Sequence, residues 1–216
     1  MRGTIRYMRG SFSGNVIVMQ FPEIQLALPE WVGDFCARWQ GEFATVADRA
    51  AFVVALSREN VLRGTGGPFA AAVFDPSRTM LVAPGVNLVV PAACSSAHAE
   101  IVALSIAQQV TGTHDLGAAG LPALELVSST EPCAMCMGAV SWAGVRRLVC
   151  CARGEDAEAI GMDEGAKPPD WETALKVRGI EVVRDICRGE AAAVLRDYAA
   201  QGGPIYNGRD GKKVES

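Results

Sequence analysis

The stretch "ALELVSSTEPCAMCMGAVSWAGVRRLVCC", residues 123–151, decides the fold class. A short apolar strand, "ALELVSS", runs into Pro132, where a helix opens, and the apolar strand "RRLVCC" follows. Strand, helix and strand in that order are the unit of an alternating α/β protein. The alternation continues on both sides. Upstream, "FAAAVF" and "TMLVA" flank "DPSR", whose Pro76 at the second turn position fits a type I turn and predicts a β-hairpin. An Ala-rich helix from about Ala97 to Val110 lies between that hairpin and the opening stretch. Downstream, a helix–strand–helix pattern continues to Ala200. From Trp31 to Arg63, apolar residues near helical spacing (Trp31, Phe35, Trp39, Phe43, Val46, Phe52, Val53, Leu56) predict two amphipathic helices joined near Gly41 or shortly after it. Their aromatic stripe reads as core. The expected architecture is an α/β sandwich on a mixed sheet.

Bulk properties narrow the class. The chain has 216 residues and a mass of 22.8 kDa, within the range of one α/β domain. Half of its residues are apolar, enough to bury a core. Residues 1–22 carry Arg2, Arg6 and Arg9 but no acid, show no helical or strand period, and are expected to be an extension outside a single domain spanning 23–216. No apolar run approaches the roughly 18 residues of a membrane span, and "NVIVMQFPEIQ" is broken too early for a signal peptide. A cytoplasmic location without membrane contact is expected. Seven cysteines, an odd number, argue for thiols kept reduced or bound to metal. With 24 acidic against 20 basic side chains and a pI near 5.3, the chain lacks the footprint of a nucleic-acid binder.

Chemistry concentrates at two places. In "STEPCAMCMGAVSWAG", Cys133 and Cys136 lie at the start of a helix, whose N-terminus favours the thiolate that binds metal. A lone CxxC reads as a redox pair, as half of a structural zinc site, or as part of a catalytic one. The remaining cysteines form no second CxxC, and Cys150 and Cys151 read as small buried thiols ending a strand. Three protein ligands with one open position is the catalytic pattern, and His98 in "SSAHAEIVALS" would complete it. Taken singly, His98 reads as a structural histidine. Together, HxE followed by PCxxC matches the signature of the zinc nucleobase deaminases.

The chain accordingly resembles the cytidine deaminase superfamily, and within it the bacterial guanine deaminases, over most of residues 60–206. The matching pieces are "GGPFAAAVF", Asn87, "AHAE", "TEPCAMCMGAV" and "GMDE" at 161–164. "SSAHAE" departs from the Pro-Thr pair that many relatives carry before the histidine, which alters the stiffness of the loop more than its chemistry. The resemblance implies a three-layer α/β/α cytidine deaminase-like sandwich with a mixed central sheet, usually dimeric. It implies one Zn2+ per chain, held by His98, Cys133 and Cys136 with water in the fourth position. The substrate would be a small-molecule purine base, guanine, converted to xanthine and ammonia by a homodimer. Its binding residues would be Asn87, Ala99, Glu164 and Tyr206.

The residues support that chemistry on their own terms. Hydrolytic loss of ammonia from an aromatic amidine needs a strong nucleophile at neutral pH and a proton for the leaving nitrogen. Zinc coordination lowers the pKa of water from about 15.7 to about 7. Glu100 would carry the protons, as base and then as acid. Guanine presents adjacent N–H donors on its Watson–Crick edge, which call for a carboxylate such as Glu164, while Asp163 beside it reads as a solvated loop acid. Phe69 and Trp142 are further candidates for the pocket wall, or equally for the core. Within "DYAAQGGPIYNG", residues 197–208, Gly202 and Gly203 can hinge a lid carrying Tyr206, and the polar end beyond Asn207 reads as a frayed terminus. The rivals are a tRNA adenosine deaminase, a cytosine or cytidine deaminase, and a zinc-stabilised binding module without turnover. The acidic balance, Glu164 and Glu100 respectively weigh against them.

Overall fold

A computed structural model describes residues 11–13, 16–18 and 23–208. After strands β1 (Ser11–Ser13) and β2 (Val16–Val18), helices α1 (Glu30–Arg38) and α2 (Val46–Leu62) lead into β3 (Ala70–Asp75) and β4 (Met80–Val86). Then come α3 (Ala99–Thr111), β5 (Glu125–Thr130), α4 (Ala134–Ala143), β6 (Arg147–Ala152), α5 (Gly154–Glu158), α6 (Trp171–Val177), β7 (Glu181–Val183) and α7 (Arg188–Ala200). Five strands form one mixed sheet in the order β4-β3-β5-β6-β7. The first three run antiparallel, and β5, β6 and β7 are mutually parallel.

Period-2 alternation assigns the strand side chains to two cores. Ala70, Ala72, Phe74, Val127, Val149 and Cys151 face the layer that contains α2 and α7. Ala71, Val73, Leu126, Leu148 and Cys150 face the layer that contains α3 and α4. The sheet is thus covered on both faces, the three-layer arrangement expected. Cys150 and Cys151 are fully buried free thiols, one in each core. The aromatic stripe is core: Phe52 meets Trp39 and Phe43 edge-on, and Phe43 packs on Phe74.

Local chemistry sets the element ends. α2 opens with a capping box in which Thr45 and Asp48 exchange backbone–side-chain hydrogen bonds of 2.8 and 3.1 Å. The turn between β3 and β4 closes with Arg78 N donating to Asp75 O at 3.3 Å, as the Pro76 reading requires. α4 ends at Gly144, which adopts the left-handed conformation that glycine takes without strain.

Two expectations need correction. Residues 1–22 are not free of strand: β1 and β2 pair antiparallel with each other, in a sheet separate from the main one. The expectations for Arg2, Arg6 and Arg9, and for the tail beyond Gly208, lie outside the described residues. Nor does α4 open at Pro132. Cys133 is its N-cap and Ala134 its first residue, because Thr130 still pairs with Ala152 and Glu131 N donates to Ala152 O at 2.9 Å. Sheet pairing keeps the chain extended through Glu131. Among the described residues no helix is long and apolar enough to cross a membrane.

Candidate active site

The site lies beyond the C-terminal end of β5, where parallel α/β sheets open a crevice. His98 is the N-cap of α3 and Cys133 the N-cap of α4, two helices on the same face of the sheet. An N-cap side chain normally accepts from the first turn of its helix, yet neither does so here. They turn toward each other instead, with Cys133 Sγ 3.6 Å from His98 Nδ1. Cys136, one turn into α4, completes a set whose ligand atoms all lie within 4.8 Å of one another. One nitrogen and two sulfurs at helix N-termini suit zinc.

The electrostatics agree with that donor set. Hydrogen bonding from Cys136 holds the Cys133 thiol down at about 4, with His98 adding to the effect against burial. The same interaction, with burial and the nearby Glu100 carboxylate, pushes Cys136 up. Burial alone would lower His98, but the Cys133 hydrogen bond and the charges of Glu100, Cys133 and Glu164 outweigh it and raise it. Glu100 is buried at the second position of α3, and one oxygen lies 3.4 Å from Cys136 Sγ while the other accepts from Ser128 Oγ at 3.4 Å. Burial, then the Cys133 thiolate, raises its pKa. A carboxyl so placed can take and return a proton beside the ligands.

These groups open into a cavity of about 370 Å³, a size that suits a small molecule. Asn87, Phe69, Glu164 and Tyr206 line it together with His98 and Glu100. Asn87 is buried, its Oδ1 accepting from Val89 N at 3.3 Å. Glu164 is buried in the loop before α6, and desolvation pushes its pKa up to about 8, against the pull of Lys167. Asp163 is exposed, and its Oδ1 accepts from Gly165 N at 2.9 Å. Tyr206 packs on Gly67 so closely that a Cβ there would collide with its ring, and burial raises its phenol. Asn207 anchors it: Asp163 N donates to Asn207 Oδ1 at 2.9 Å, and Asn207 Nδ2 donates to Gly161 O at 2.8 Å.

Three buried polar atoms on this cavity's walls, Glu164 Oε2, Tyr206 Oη and Thr130 Oγ1, have no hydrogen-bond partner among the described residues. Such atoms are rare in native interiors, and here they mark a place for a polar ligand. Two sequence candidates do not line this cavity. Trp142 is 87% exposed on α4 and borders a separate groove against α3, because its place on the helix turns it away from the sheet. Ala99 is fully buried, and it is not among the residues that line the cavity. The sequence reading missed Thr130, Ser128, Lys167 and Asn207. Thr130 and Ser128 sit within the strand stretch quoted first, and the alternation of β5 was the available signal. Nothing local marks the other two.

Residues 48–152 match the family described as the cytidine and deoxycytidylate deaminase zinc-binding region. The chain is 37% identical to a guanine deaminase of Bacillus subtilis, over 51% of this chain and 67% of that protein. It is similar to the solved structure of a guanine deaminase from Nitrosomonas europaea at 48% identity, covering 85% of this chain and all of that one, with a TM-score of 0.78. A structure in complex with 2,6-diaminopurine is 50% identical, covers 86% of this chain and 97% of its own, and has a TM-score of 0.79. The protein in that complex was also solved with 8-azaguanine after substitution of an asparagine and, separately, of a glutamate. Their separation along its sequence equals that between Asn87 and Glu164 here.

Proposed function

The chain belongs to the zinc-dependent cytidine and deoxycytidylate deaminase family, and we propose that it hydrolyses guanine to xanthine and ammonia. The observation that carries the choice of base is Glu164 Oε2, buried on the cavity wall without a hydrogen-bond partner among the described residues. Guanine offers two adjacent N–H donors, from its ring N1 and its 2-amino group; burial raises the Glu164 carboxyl, and this donor pair favours its ionised form, which accepts both. A base without that pair leaves the carboxylate unsatisfied, which can cost factors of about 10⁴ in turnover.

His98, Cys133 and Cys136 would hold the zinc. When bound, the ion supplies the Lewis acidity that makes water nucleophilic near neutral pH. Glu100 does the proton work. It takes a proton from the attacking water and delivers it to the ring nitrogen beside the reacting carbon, and it then delivers the second proton to the departing amine. The C–N bond breaks as the carbonyl forms, and ammonia leaves. Ser128 holds the Glu100 carboxyl in place through its hydroxyl. Asn87 offers its amide to the heteroaromatic edge, and Tyr206 closes the cavity above the base and excludes water.

The acidic balance of the chain supports a free base over a nucleic acid. The setting we infer is cytoplasmic purine breakdown. A homodimer through the α3/α4 face is supported by Trp142, whose indole lies exposed beside the groove lined by Ile101, Leu104 and Ala139. The purified zinc-loaded protein should release ammonia from guanine, and far more slowly from adenine, cytosine and the nucleosides. Faster release from cytosine or adenine would replace the substrate, and release from none would remove the activity.

A further inference from the structure

Lys167 stands behind the cavity wall, 14% exposed, with its ammonium at the centre of a group that links substrate recognition to the metal-binding loop. Its Nζ donates to Pro132 O at 3.1 Å, immediately before Cys133. It lies 3.9 Å from Glu164 Oε2, near enough for charge to act and too far for a hydrogen bond. The Trp171 ring, 5.4 Å away, holds the ammonium from the other side. Glu131 is also close, at 3.6 Å. That carboxylate is already served by Arg184, which donates to it at 2.6 Å, and by Gly154 N at 3.1 Å. The Lys167 ammonium thus acts on both carboxylates, and unlike Glu131, Glu164 has no other cation in a salt bridge with it among the described residues.

Burial favours the neutral form of Glu164, and the charges that reach it from Glu100 on α3, Cys133 at the cap of α4 and Glu158 on α5 favour it too. Lys167 is the largest influence that opposes them. The protonation state decides what Glu164 can recognise. An ionised carboxylate offers two acceptors and matches the two N–H donors of guanine. A neutral carboxylic acid offers one donor and one acceptor. It matches a purine whose N1 is an unprotonated acceptor beside a 2-amino donor, as in 2,6-diaminopurine.

Resting on the guanine reading, we propose that Lys167 is a positioning residue that favours the two-acceptor carboxylate form of Glu164 when the N–H pair of guanine meets it, and that it thereby selects guanine over purines with an acceptor at N1.

The test compares zinc-loaded, full-length wild type with Lys167→Met and Lys167→Arg. It measures kcat and KM for guanine across pH, and the binding of 2,6-diaminopurine by competition. In Lys167→Met the guanine KM should rise about tenfold, the loss of one charge-assisted interaction, with a smaller change in kcat. Binding of 2,6-diaminopurine should hold or tighten. The pH at which guanine kcat/KM rises should move upward, and Lys167→Arg should restore all three readouts. Equal weakening of both bases, or lost zinc and thermal stability with an unchanged ratio between them, overturns the proposal and makes Lys167 structural. A wild type that leaves guanine intact refutes the substrate reading. A wild type that consumes guanine beside a Lys167→Met variant with unchanged selectivity refutes only the role of Lys167.

Discussion

In the proposed mechanism turnover depends on Glu100, while the fold and metal do not. It is buried beside Cys136, so Glu100→Gln keeps the volume and the hydrogen-bonding capacity with Ser128 but cannot carry a proton. We expect that variant to retain one zinc per chain and to bind guanine, while kcat falls by about 10² to 10⁴, the usual worth of a proton-transfer group. Metal analysis, guanine binding and steady-state kinetics on the same preparation check it, and near-normal kcat would move the proton transfers to another group. At this scale the sequence was most informative where ligands sit at fixed short spacing. HxE and CxxC are local patterns, and the helix starts that follow them are local too. Lys167 and Asn207 were not legible because their roles come from neighbours that folding alone brings close. Lys167 meets the carbonyl of Pro132 across 35 positions, and Asn207 meets Asp163 across 44.

Among the elements, the segment after α7 carries the sharpest consequence. Tyr198 Oη donates to Pro204 O at 2.7 Å, which fixes where the chain leaves the helix, and Asn207 then fastens the far end to the backbone of the loop before Glu164. The segment is thus tied at both ends, with Tyr206 between them over the cavity. Truncation before Gly202 removes these ties and should leave zinc content and the thermal midpoint close to wild type while cutting guanine turnover at least tenfold. Metal analysis, thermal unfolding and kinetics check it, and full-length turnover by the truncated chain would leave Tyr206 without a role. Asn207, beyond which the sequence expects fraying, makes two hydrogen bonds to distant backbone, a tertiary tie that no local pattern marks. The start of α4 was misplaced for a related reason. A proline before a helical pattern reads as its first residue, but the pairing of Glu131 with Ala152 is a tertiary fact that propensity does not contain.

For the molecule as a whole, the alternation of strands and helices along the chain made the sandwich readable, since a strand buried on both faces reads as a short continuous apolar run. The buried ion pair was not readable. Arg49 Nε donates to Glu125 Oε1 at 2.6 Å with both side chains buried, across 76 positions, and nothing in the sequence near either residue marks the pair. Exposure at this scale also points outward. Trp142 leaves an indole uncovered at the α3/α4 face, and Trp142→Glu should convert a dimer in solution to monomer. Sedimentation or light scattering checks it, and a wild type already monomeric at micromolar concentration would remove the dimer from the reading.

The cavity has two walls of different construction. The ligands and Glu100 hang from helix starts docked on the sheet, held by the core between them. Glu164, Lys167 and Tyr206 belong to connecting segments fastened by a few side chains, such as the amide of Asn207. Changes in those segments can alter which base fits without disturbing the reacting centre. A scaffold divided in this way can explore new substrates through its connections while keeping its reaction constant, which makes the stretches 161–167 and 204–207 the natural place to begin redesigning its selectivity.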